Sequence, residues 1–178
     1  MKERIMFLLQ MIRNNKINAS ITPSSRFLAK QMIKGIDWKS IDTIIELGPG
    51  TGIFTKHIID NIKVGTKIIV VEIEDIYVTH LKEKFGDKII IEKSDVKNID
   101  EIRKKYNIKK IDLIVSGLPF IPAESIHDKL KIYTSQGTIF RSFTYHPKKF
   151  RNIYAEFPVN EVGFSLVNIP PARVYGIN

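Results

Sequence analysis

The sequence predicts an α/β fold in which a mostly parallel sheet is covered by helices. Short apolar strands alternate with helical segments along most of the 178 residues, which implies parallel strands joined by right-handed crossovers. The strand over residues 67–72 is entirely apolar from Ile68 to Val71, as a strand covered on both faces should be. Three late strands have no helical pattern between them, which predicts an antiparallel hairpin at one edge of the sheet.

The individual elements follow from apolar spacing and from helix start and stop residues. Predicted strands occupy residues 43–47, 67–72, 88–92, 111–116, 138–145, 161–166 and 173–175. Predicted helices occupy residues 3–14, 22–34, 53–61, 76–85, 99–106 and 124–133. We therefore expect one domain over residues 1–178, with residues 1–34 as a helical N-terminal extension.

Composition narrows the chemistry before any motif is considered. The chain has no cysteine, which excludes disulfides, thiolate nucleophiles and cysteine metal sites and is compatible with the cytoplasm. Its histidines show no metal-ligand spacing, so we expect no metal; they are His57, His80, His127 and His146. We also expect neither a cleaved signal nor a membrane span, because no apolar run approaches the roughly 18–20 residues of a spanning helix.

The charge of the chain is basic and unevenly distributed. The net charge is +9, and residues 1–34 contain seven basic residues against one acidic residue. Such an excess favours a polyanionic partner, either nucleic acid or an anionic membrane surface.

The strongest motif is the glycine-rich turn after the first predicted strand, which reads Glu46-Leu47-Gly48-Pro49-Gly50-Thr51-Gly52. A glycine turn between a strand and a helix lets the backbone approach a ligand closely and points helix N–H groups at it. The spacing differs from the dinucleotide fingerprint because the third glycine comes one residue early. It is not a Walker loop either, because the Lys-Ser/Thr pair is missing.

Two acidic residues follow the glycine turn at the ends of the next two strands. Glu72 ends the second strand, where a carboxylate can accept hydrogen bonds from both ribose hydroxyls of a nucleotide. Asp95 follows the third strand, where an acid can accept from an adenine amino group. At this spacing behind the turn, a ligand role is favoured over a solvated surface carboxylate.

These motifs, together with residues 112–120, resemble the successive motifs of class I S-adenosylmethionine-dependent methyltransferases. The resemblance implies a Rossmann-like sheet of seven strands with an antiparallel final strand. It implies S-adenosyl-L-methionine as cofactor and S-adenosyl-L-homocysteine as product, with Glu46 and the glycine turn at the methionine moiety, Glu72 at the ribose and Asp95 at the adenine. The implied cofactor-binding residues are Glu46, Gly48, Gly50, Thr51, Gly52, Glu72, Ile73, Asp95, Val96 and Ser116.

Two groups within this class share the sequence of the glycine turn: the ribosomal RNA adenine dimethylases and the bacterial phospholipid N-methyltransferases. The RNA enzymes have an asparagine at the start of their fourth motif, whose side-chain carbonyl accepts from the target amino group. The present chain has Gly117 there, which offers no side-chain acceptor. Residues 23–26, 116–119, 143–145 and 168–175 also resemble the phospholipid group, which methylates phosphatidylethanolamine towards phosphatidylcholine.

Substrate and catalytic residues are predicted after the fourth and fifth strands. The substrate-binding candidates are Gly117, Leu118, Pro119, Phe120 and Arg173, the last as a partner for a lipid phosphate. The catalytic candidates are Tyr145 and His146, at the end of the fifth predicted strand, where they could contact the headgroup. The aromatic rings of Tyr145 and Phe120 could also face a methylated ammonium.

The predicted helix over residues 3–14 is amphipathic, with Ile5, Leu8, Leu9 and Ile12 on one face and basic residues around it. The pattern alone is most often that of a helix packed on the sheet. The charge excess and the resemblance to the phospholipid group shift our interpretation to reversible attachment to an anionic membrane, with RNA binding as a third option. We therefore expect a monomeric, cytoplasmic enzyme held peripherally on the inner face of the membrane. The alternatives are methylation of RNA adenine N6 or of protein, methylation of a small molecule, and a cofactor-binding membrane module without turnover.

Overall fold

The structure, a computed structural model, describes residues 23–118, 123–168 and 171–177. The predicted helix over residues 3–14 lies outside the described residues, as do Pro119 and Phe120. Among the described residues, none of the helices is long and apolar enough to cross a membrane.

A seven-stranded sheet forms the centre of the molecule. Its strands are β1 (Thr43–Leu47), β2 (Lys67–Glu72), β3 (Ile90–Lys93), β4 (Leu113–Ser116), β5 (Ile139–Thr144), β6 (Asn160–Ser165) and β7 (Ala172–Ile177). They are arranged in the order β3-β2-β1-β4-β5-β7-β6. The first five strands are parallel, whereas β7 is antiparallel to both of its neighbours.

Six α-helices are described, and they pack in two layers. They are α1 (Pro23–Met32), α2 (Ile53–Ile59), α3 (Asp75–Phe85), α4 (Ile99–Lys105), α5 (Ala123–Ser135) and α6 (Pro147–Ile153). Side chains of α1, α2 and α3 contribute to one buried cluster, and side chains of α4, α5 and α6 contribute to the other. The sheet therefore lies between two helical layers.

The strands supply both buried clusters because successive strand residues point to opposite faces. In β1, Ile45 and Leu47 belong to the cluster of α4, α5 and α6, whereas Ile44 belongs to the cluster of α1, α2 and α3. In β2, Ile69 and Ile68 divide between the two faces in the same way. This explains why the residues Ile44 and Ile45 in β1 and the run from Ile68 to Val71 in β2 are apolar on both faces.

The predicted α/β fold, with its parallel sheet and reversed final strand, is confirmed. The structure adds α6, which the sequence did not predict, because this seven-residue helix buries only Phe150 and so shows no repeated apolar spacing. The third strand also begins later than predicted, at Ile90, because residues 86–88 form a 3₁₀ turn. These differences lie at element ends and in one short helix.

Candidate cofactor and active site

The candidate site lies where the carboxyl ends of β1, β2 and β4 meet. β1 pairs with β2 on one side and with β4 on the other, so Leu47 lies opposite both Val71 and Ser116. The strand order reverses direction between β1 and β4, and ligands of open parallel sheets bind in the crevice at such a switch point. We call this side of the sheet the site edge.

The glycine turn has a backbone that other residues rarely adopt. Gly48, Gly50 and Gly52 have φ angles of +65°, +54° and +73°, all in the left-handed region. The Gly52 N–H donates to Pro49 O at 2.9 Å, which closes the turn directly before α2. The turn therefore has a fixed shape that presents backbone groups at the start of this helix.

The turn is also packed closely against the end of β4. A Cβ atom on Gly117 would lie 2.4 Å from Gly48 O, and a Cβ atom on Gly48 would lie 2.4 Å from Leu118 Cδ2. The Gly117 N–H donates to Leu47 O at 2.8 Å, which holds the two chain segments together. At Gly117 the neighbouring atom is backbone, so space requires glycine there; at Gly48 the neighbour is a movable side chain, and the φ of +65° favours glycine instead.

Glu72 connects the end of β2 to the glycine turn. One carboxylate oxygen accepts from Gly50 N at 3.1 Å, and the other accepts from Ile73 N at 2.8 Å and from Glu74 N at 3.1 Å. Each carboxylate oxygen has two lone pairs, so the Oε2 atom retains capacity for a further donor such as a ribose hydroxyl. The Ile73 side chain is exposed, and its contribution here is its N–H group.

Glu46, the penultimate residue of β1, is completely buried. Neither carboxylate oxygen has a hydrogen-bond partner among the described residues. Burial raises the pKa of Glu46 to about 8; Thr55, on α2, opposes this rise, and the negative charge of Glu72 adds to it. Thr55 faces the carboxyl but its hydroxyl makes no well-formed hydrogen bond in the described structure. A cationic ligand group beside Glu46 would favour the ionised form.

The remaining predicted cofactor residues surround the same crevice. Asp95 is partly buried, follows β3, and accepts from Lys97 N at 2.9 Å through one oxygen. Val96 packs against the buried cluster of α4, α5 and α6. Ser116 is buried, and its hydroxyl oxygen accepts from Leu118 N at 3.3 Å. Its main role in the described structure is thus to order the chain that leaves β4.

Tyr145 and His146 follow β5, which is parallel to β4, and they therefore lie at the site edge. The Tyr145 ring packs edge-on against Phe143, with ring centroids 5.6 Å apart. His146 is exposed and precedes α6, and its backbone N–H donates to Thr144 Oγ1 at 2.9 Å. Their catalytic roles remain predictions.

Arg173 lies at the start of β7, opposite Thr144 of β5. Its guanidinium donates to both carboxylate oxygens of Glu161, at 2.7 and 3.0 Å. It also lies over the Phe164 ring, 5.1 Å from the centroid. A lipid phosphate at Arg173 would therefore compete with an existing ion pair.

Two residues near the site were not predicted from the sequence. Thr55 faces Glu46 from the first turn of α2, and no local sequence signal marks it. Lys84, at the end of α3, donates to Thr51 O at 2.7 Å and so contacts the glycine turn. Its place could be found only from the packing of α3 against the glycine turn, where Leu81 and Phe85 lie beside Gly52.

The residues present fit an adenosyl cofactor with a cationic sulfonium and ammonium. The unpartnered buried carboxyl of Glu46 can receive positive charge, and nothing lies within 4 Å of a Cβ on Gly50, so the turn leaves room for a ligand. Glu72 and Asp95 provide acceptors beside it for hydroxyl and amino groups. Among the described residues, no cluster of histidine and acidic side chains could hold a metal ion.

The fold and this site define a Rossmann-like, S-adenosylmethionine-dependent methyltransferase. The family model of the ribosomal RNA adenine dimethylases matches residues 20–137, and the chain belongs to this family.

Curated relatives of two kinds are similar to the chain. The ornithine lipid N-methyltransferase of Singulisphaera acidiphila is 30% identical over 185 residues, which cover 98% of this chain and 95% of the relative. The ribosomal RNA small subunit methyltransferase A of Mycoplasma capricolum is 32% identical over 108 residues, covering 59% of this chain and 40% of the relative. The chain thus matches the lipid enzyme nearly from end to end and the RNA enzyme over a part.

Solved structures share the fold at low sequence identity. An O-methyltransferase from Bacillus cereus in complex with SAH has a TM-score of 0.61 at 10% identity, covering 97% of this chain and 89% of that chain. Fibrillarin from Aeropyrum pernix with bound S-adenosyl-L-methionine has a TM-score of 0.62 at 16% identity, covering 85% and 76%.

Proposed function

We propose that the chain transfers methyl groups to the headgroup amine of a membrane lipid and so converts phosphatidylethanolamine towards phosphatidylcholine. The observation that carries this proposal is the contact between Gly117 and Gly48. An asparagine at position 117, which the RNA adenine dimethylases use to accept from their target amino group, would place its Cβ 2.4 Å from a backbone oxygen. Because this site has neither the acceptor nor the space for it, adenine chemistry is disfavoured.

The similarity to the ornithine lipid N-methyltransferase supports the same class of substrate. The match covers 98% of this chain and 95% of that relative, whereas the match to the Mycoplasma ribosomal RNA enzymes covers 59% of this chain and 40% of each relative. An amine on a lipid headgroup is chemically the same acceptor in phosphatidylethanolamine and in an ornithine lipid. Both lipids therefore belong in the test of the proposal.

The bound cofactor would supply a methyl group attached to a positively charged sulfur. This sulfur is a good leaving group, because it departs as a neutral thioether. The protein then has to hold the acceptor in line, exclude water and receive a proton, because the headgroup amine is largely an ammonium ion at neutral pH. Tyr145 and His146 follow β5 at the site edge, where a side-chain atom of either residue could accept this proton. Glu46 is assigned to the cofactor instead.

Reversible attachment to the inner face of the membrane completes the proposal. The amphipathic segment over residues 3–14 lies outside the described residues, but its sequence pairs an apolar face with basic residues. A lipid headgroup is reached only from the bilayer surface, so a peripheral enzyme of the cytoplasm suits this substrate.

RNA adenine N6-methylation is the second candidate function. Two observations favour it: the match of residues 20–137 to the ribosomal RNA adenine dimethylase model, and the net charge of +9. A positive charge excess suits RNA phosphates as well as anionic lipids.

Both candidates are tested by offering radiolabelled S-adenosylmethionine to the protein with separate acceptors. The acceptors are phosphatidylethanolamine vesicles, ornithine lipid vesicles and deproteinised ribosomal RNA. We expect label in an extracted lipid and none in RNA. Label in RNA alone would overturn the proposal, and label in ornithine lipid alone would retain lipid methylation but replace the headgroup.

A further inference from the structure

Most of the large apolar side chains that the described structure leaves exposed lie at the site edge. Phe164, Leu166 and Val167 are exposed by 37%, 70% and 51%, and they fall within four consecutive positions around the β6–β7 turn. Single exposed apolar residues are ordinary, but a cluster at a turn is not, because turns favour Gly, Asn, Asp, Ser and Pro. We call Phe164, Leu166 and Val167 the apolar turn.

Strand directions place the apolar turn beside the candidate site. β6 and β5 are both antiparallel to β7, so they run the same way and end at the same edge. Arg173 lies opposite Thr144 on one side and opposite Phe164 on the other, which sets Phe164 level with the end of β5. Leu166 and Val167 therefore extend beyond the level at which Tyr145 and His146 begin.

The apolar turn is held by buried polar contacts. Ser165 and Asn168 are both buried, and the Ser165 hydroxyl donates to the Asn168 side-chain oxygen. The apolar side chains between them are thus presented outward, while the polar side chains face the protein. Two further exposed apolar residues, Ile73 and Ile76, follow β2 at the same edge, so that apolar side chains flank the site from both sides.

A groove of about 560 Å³ with a positive charge excess lies between α1 and α2. Its basic lining residues are Arg26, Lys30, Lys56 and Lys84, and Asp60, its acidic lining residue, is paired with Lys56 at 2.7 Å. Lys84 donates to Thr51 O, so this cationic groove begins beside the glycine turn. Exposed Phe27 also lines it.

We propose that the site edge docks on an anionic lipid bilayer, with the apolar turn inserted and the cationic groove beside lipid phosphates. Apolar side chains next to cations match the layered chemistry of a bilayer surface, where hydrocarbon lies below anionic headgroups. RNA fits less well, because Leu166 and Val167, the most exposed members of the apolar turn, offer neither hydrogen bonds nor stacking surfaces to nucleotides, and the Arg173 guanidinium already lies over the Phe164 ring. The inference rests on the proposed function, since docking here brings lipid amines to the site.

The test compares two double variants with the same change in charge. Leu166→Asp/Val167→Asp removes the apolar turn, whereas Val64→Asp/Ile132→Asp alters two exposed apolar residues outside the site edge. Binding is measured by co-sedimentation with vesicles of phosphatidylethanolamine and phosphatidylglycerol. We expect the turn variant to bind at least tenfold more weakly than wild type, and the control to stay within threefold. Equal binding by both variants would overturn the proposal.

A fluorescent reporter keeps the inference testable if other segments also bind lipid. The chain has one tryptophan, Trp38, so Trp38→Phe/Val167→Trp places a single indole on the apolar turn. On addition of vesicles, the emission of this tryptophan should shift to the blue. An unchanged spectrum while the protein is bound to vesicles would contradict insertion. A blue shift that occurs without lipid, through self-association, would also contradict it.

Methyl transfer in detergent–lipid mixed micelles separates the two proposals. The turn variant should keep wild-type transfer in micelles and unchanged affinity for S-adenosylhomocysteine, while it loses transfer on vesicles. Failure of the wild type to methylate any lipid would count against the proposed function, whereas the vesicle-binding comparison decides docking by itself.

Discussion

Glu46 is the residue whose chemistry is most altered by the fold. Its carboxyl is fully buried without a hydrogen-bond partner in the described structure, so the neutral form is favoured and the pKa rises to about 8. A buried acid left this way costs stability when it ionises. Because Glu46 lies directly beside the glycine turn, we explain this energetic cost by a site that is prepared for a cationic ligand group.

The raised pKa of Glu46 predicts how stability depends on pH. An acid with a higher pKa in the folded state than the usual 4.5 keeps the folded protein stable at low pH, and this contribution is lost as the pH rises from about 5 to about 8. For this shift the loss is on the order of 4 kcal/mol. The Glu46→Gln variant cannot ionise at this position. Its free energy of unfolding, measured with urea and without ligand, should therefore fall less than that of wild type over that pH range.

The control for this pH effect is Glu101→Gln, which changes an exposed acid on α4. Its pH dependence should follow wild type. A constant difference in unfolding free energy between Glu46→Gln and wild type from pH 5 to pH 8 would show that Glu46 does not titrate as described.

Glu72 is expected to act on the cofactor and on the turn together. Glu72→Gln replaces with a donor amide either the oxygen that accepts from Gly50 N or the single oxygen that accepts from both Ile73 N and Glu74 N. Calorimetric titration with S-adenosylhomocysteine should show at least tenfold weaker binding, about 1.4 kcal/mol. Glu92→Gln, on β3, is the matched control and should bind as wild type; equal loss in both variants would remove Glu72 from the site.

At the scale of elements, the site depends on how the end of β4 meets the turn after β1. Gly117 and Gly48 touch because β1 and β4 pair directly, although about 70 residues of sequence separate them. The pairing leaves no room for a side chain at position 117. In the proposed function, the choice between lipid and RNA substrates is connected to this contact between two strand ends.

Gly117→Asn tests this contact. The new Cβ would meet Gly48 O, so we expect unfolding free energy to fall by about 1–3 kcal/mol, as for overpacked sites, with no gain of RNA methylation. Gly35→Asn is the control, since Gly35 has a φ of +72° that asparagine tolerates and open space around its Cβ position. Wild-type stability of Gly117→Asn would refute the steric argument.

The elements also show what sequence alone could predict. The glycine turn and the acids Glu72 and Asp95 were predictable because each is marked by local sequence next to an apolar strand. The closeness of Gly117 to Gly48, and of Thr55 to Glu46, was not, because tertiary packing creates these contacts. Helix α6 was missed because one buried phenylalanine gives no periodic pattern.

At the scale of the whole molecule, charge and apolar surface are distributed unevenly. Basic residues concentrate in residues 1–34, and the cationic groove continues this charge to the glycine turn. The apolar turn lies at the same edge of the sheet. This distribution is the one that the proposed docking on a bilayer requires, whereas a soluble small substrate would not require it.

Deletion of residues 1–16 tests how much the N-terminal extension contributes to membrane affinity. This segment carries four basic residues, Lys2, Arg4, Arg13 and Lys16, which together contribute on the order of 4 kcal/mol near an anionic surface at low salt. The deletion should lower the affinity for vesicles more than tenfold. A higher salt concentration should lower the vesicle affinity of wild type towards that of the deletion variant. Affinity for S-adenosylhomocysteine should not change; unaltered vesicle binding would contradict the anchor.

The most direct test of lipid methylation is the lipid composition of cells that produce the protein. A bacterial host rich in phosphatidylethanolamine and lacking methylated lipids would express wild type or Glu72→Gln, and its extracted lipids would be analysed by mass spectrometry. The account predicts phosphatidylethanolamine species heavier by one or more methyl groups with wild type and far fewer with Glu72→Gln. Unchanged lipids in both cultures, with new methyl groups in ribosomal RNA, would contradict it.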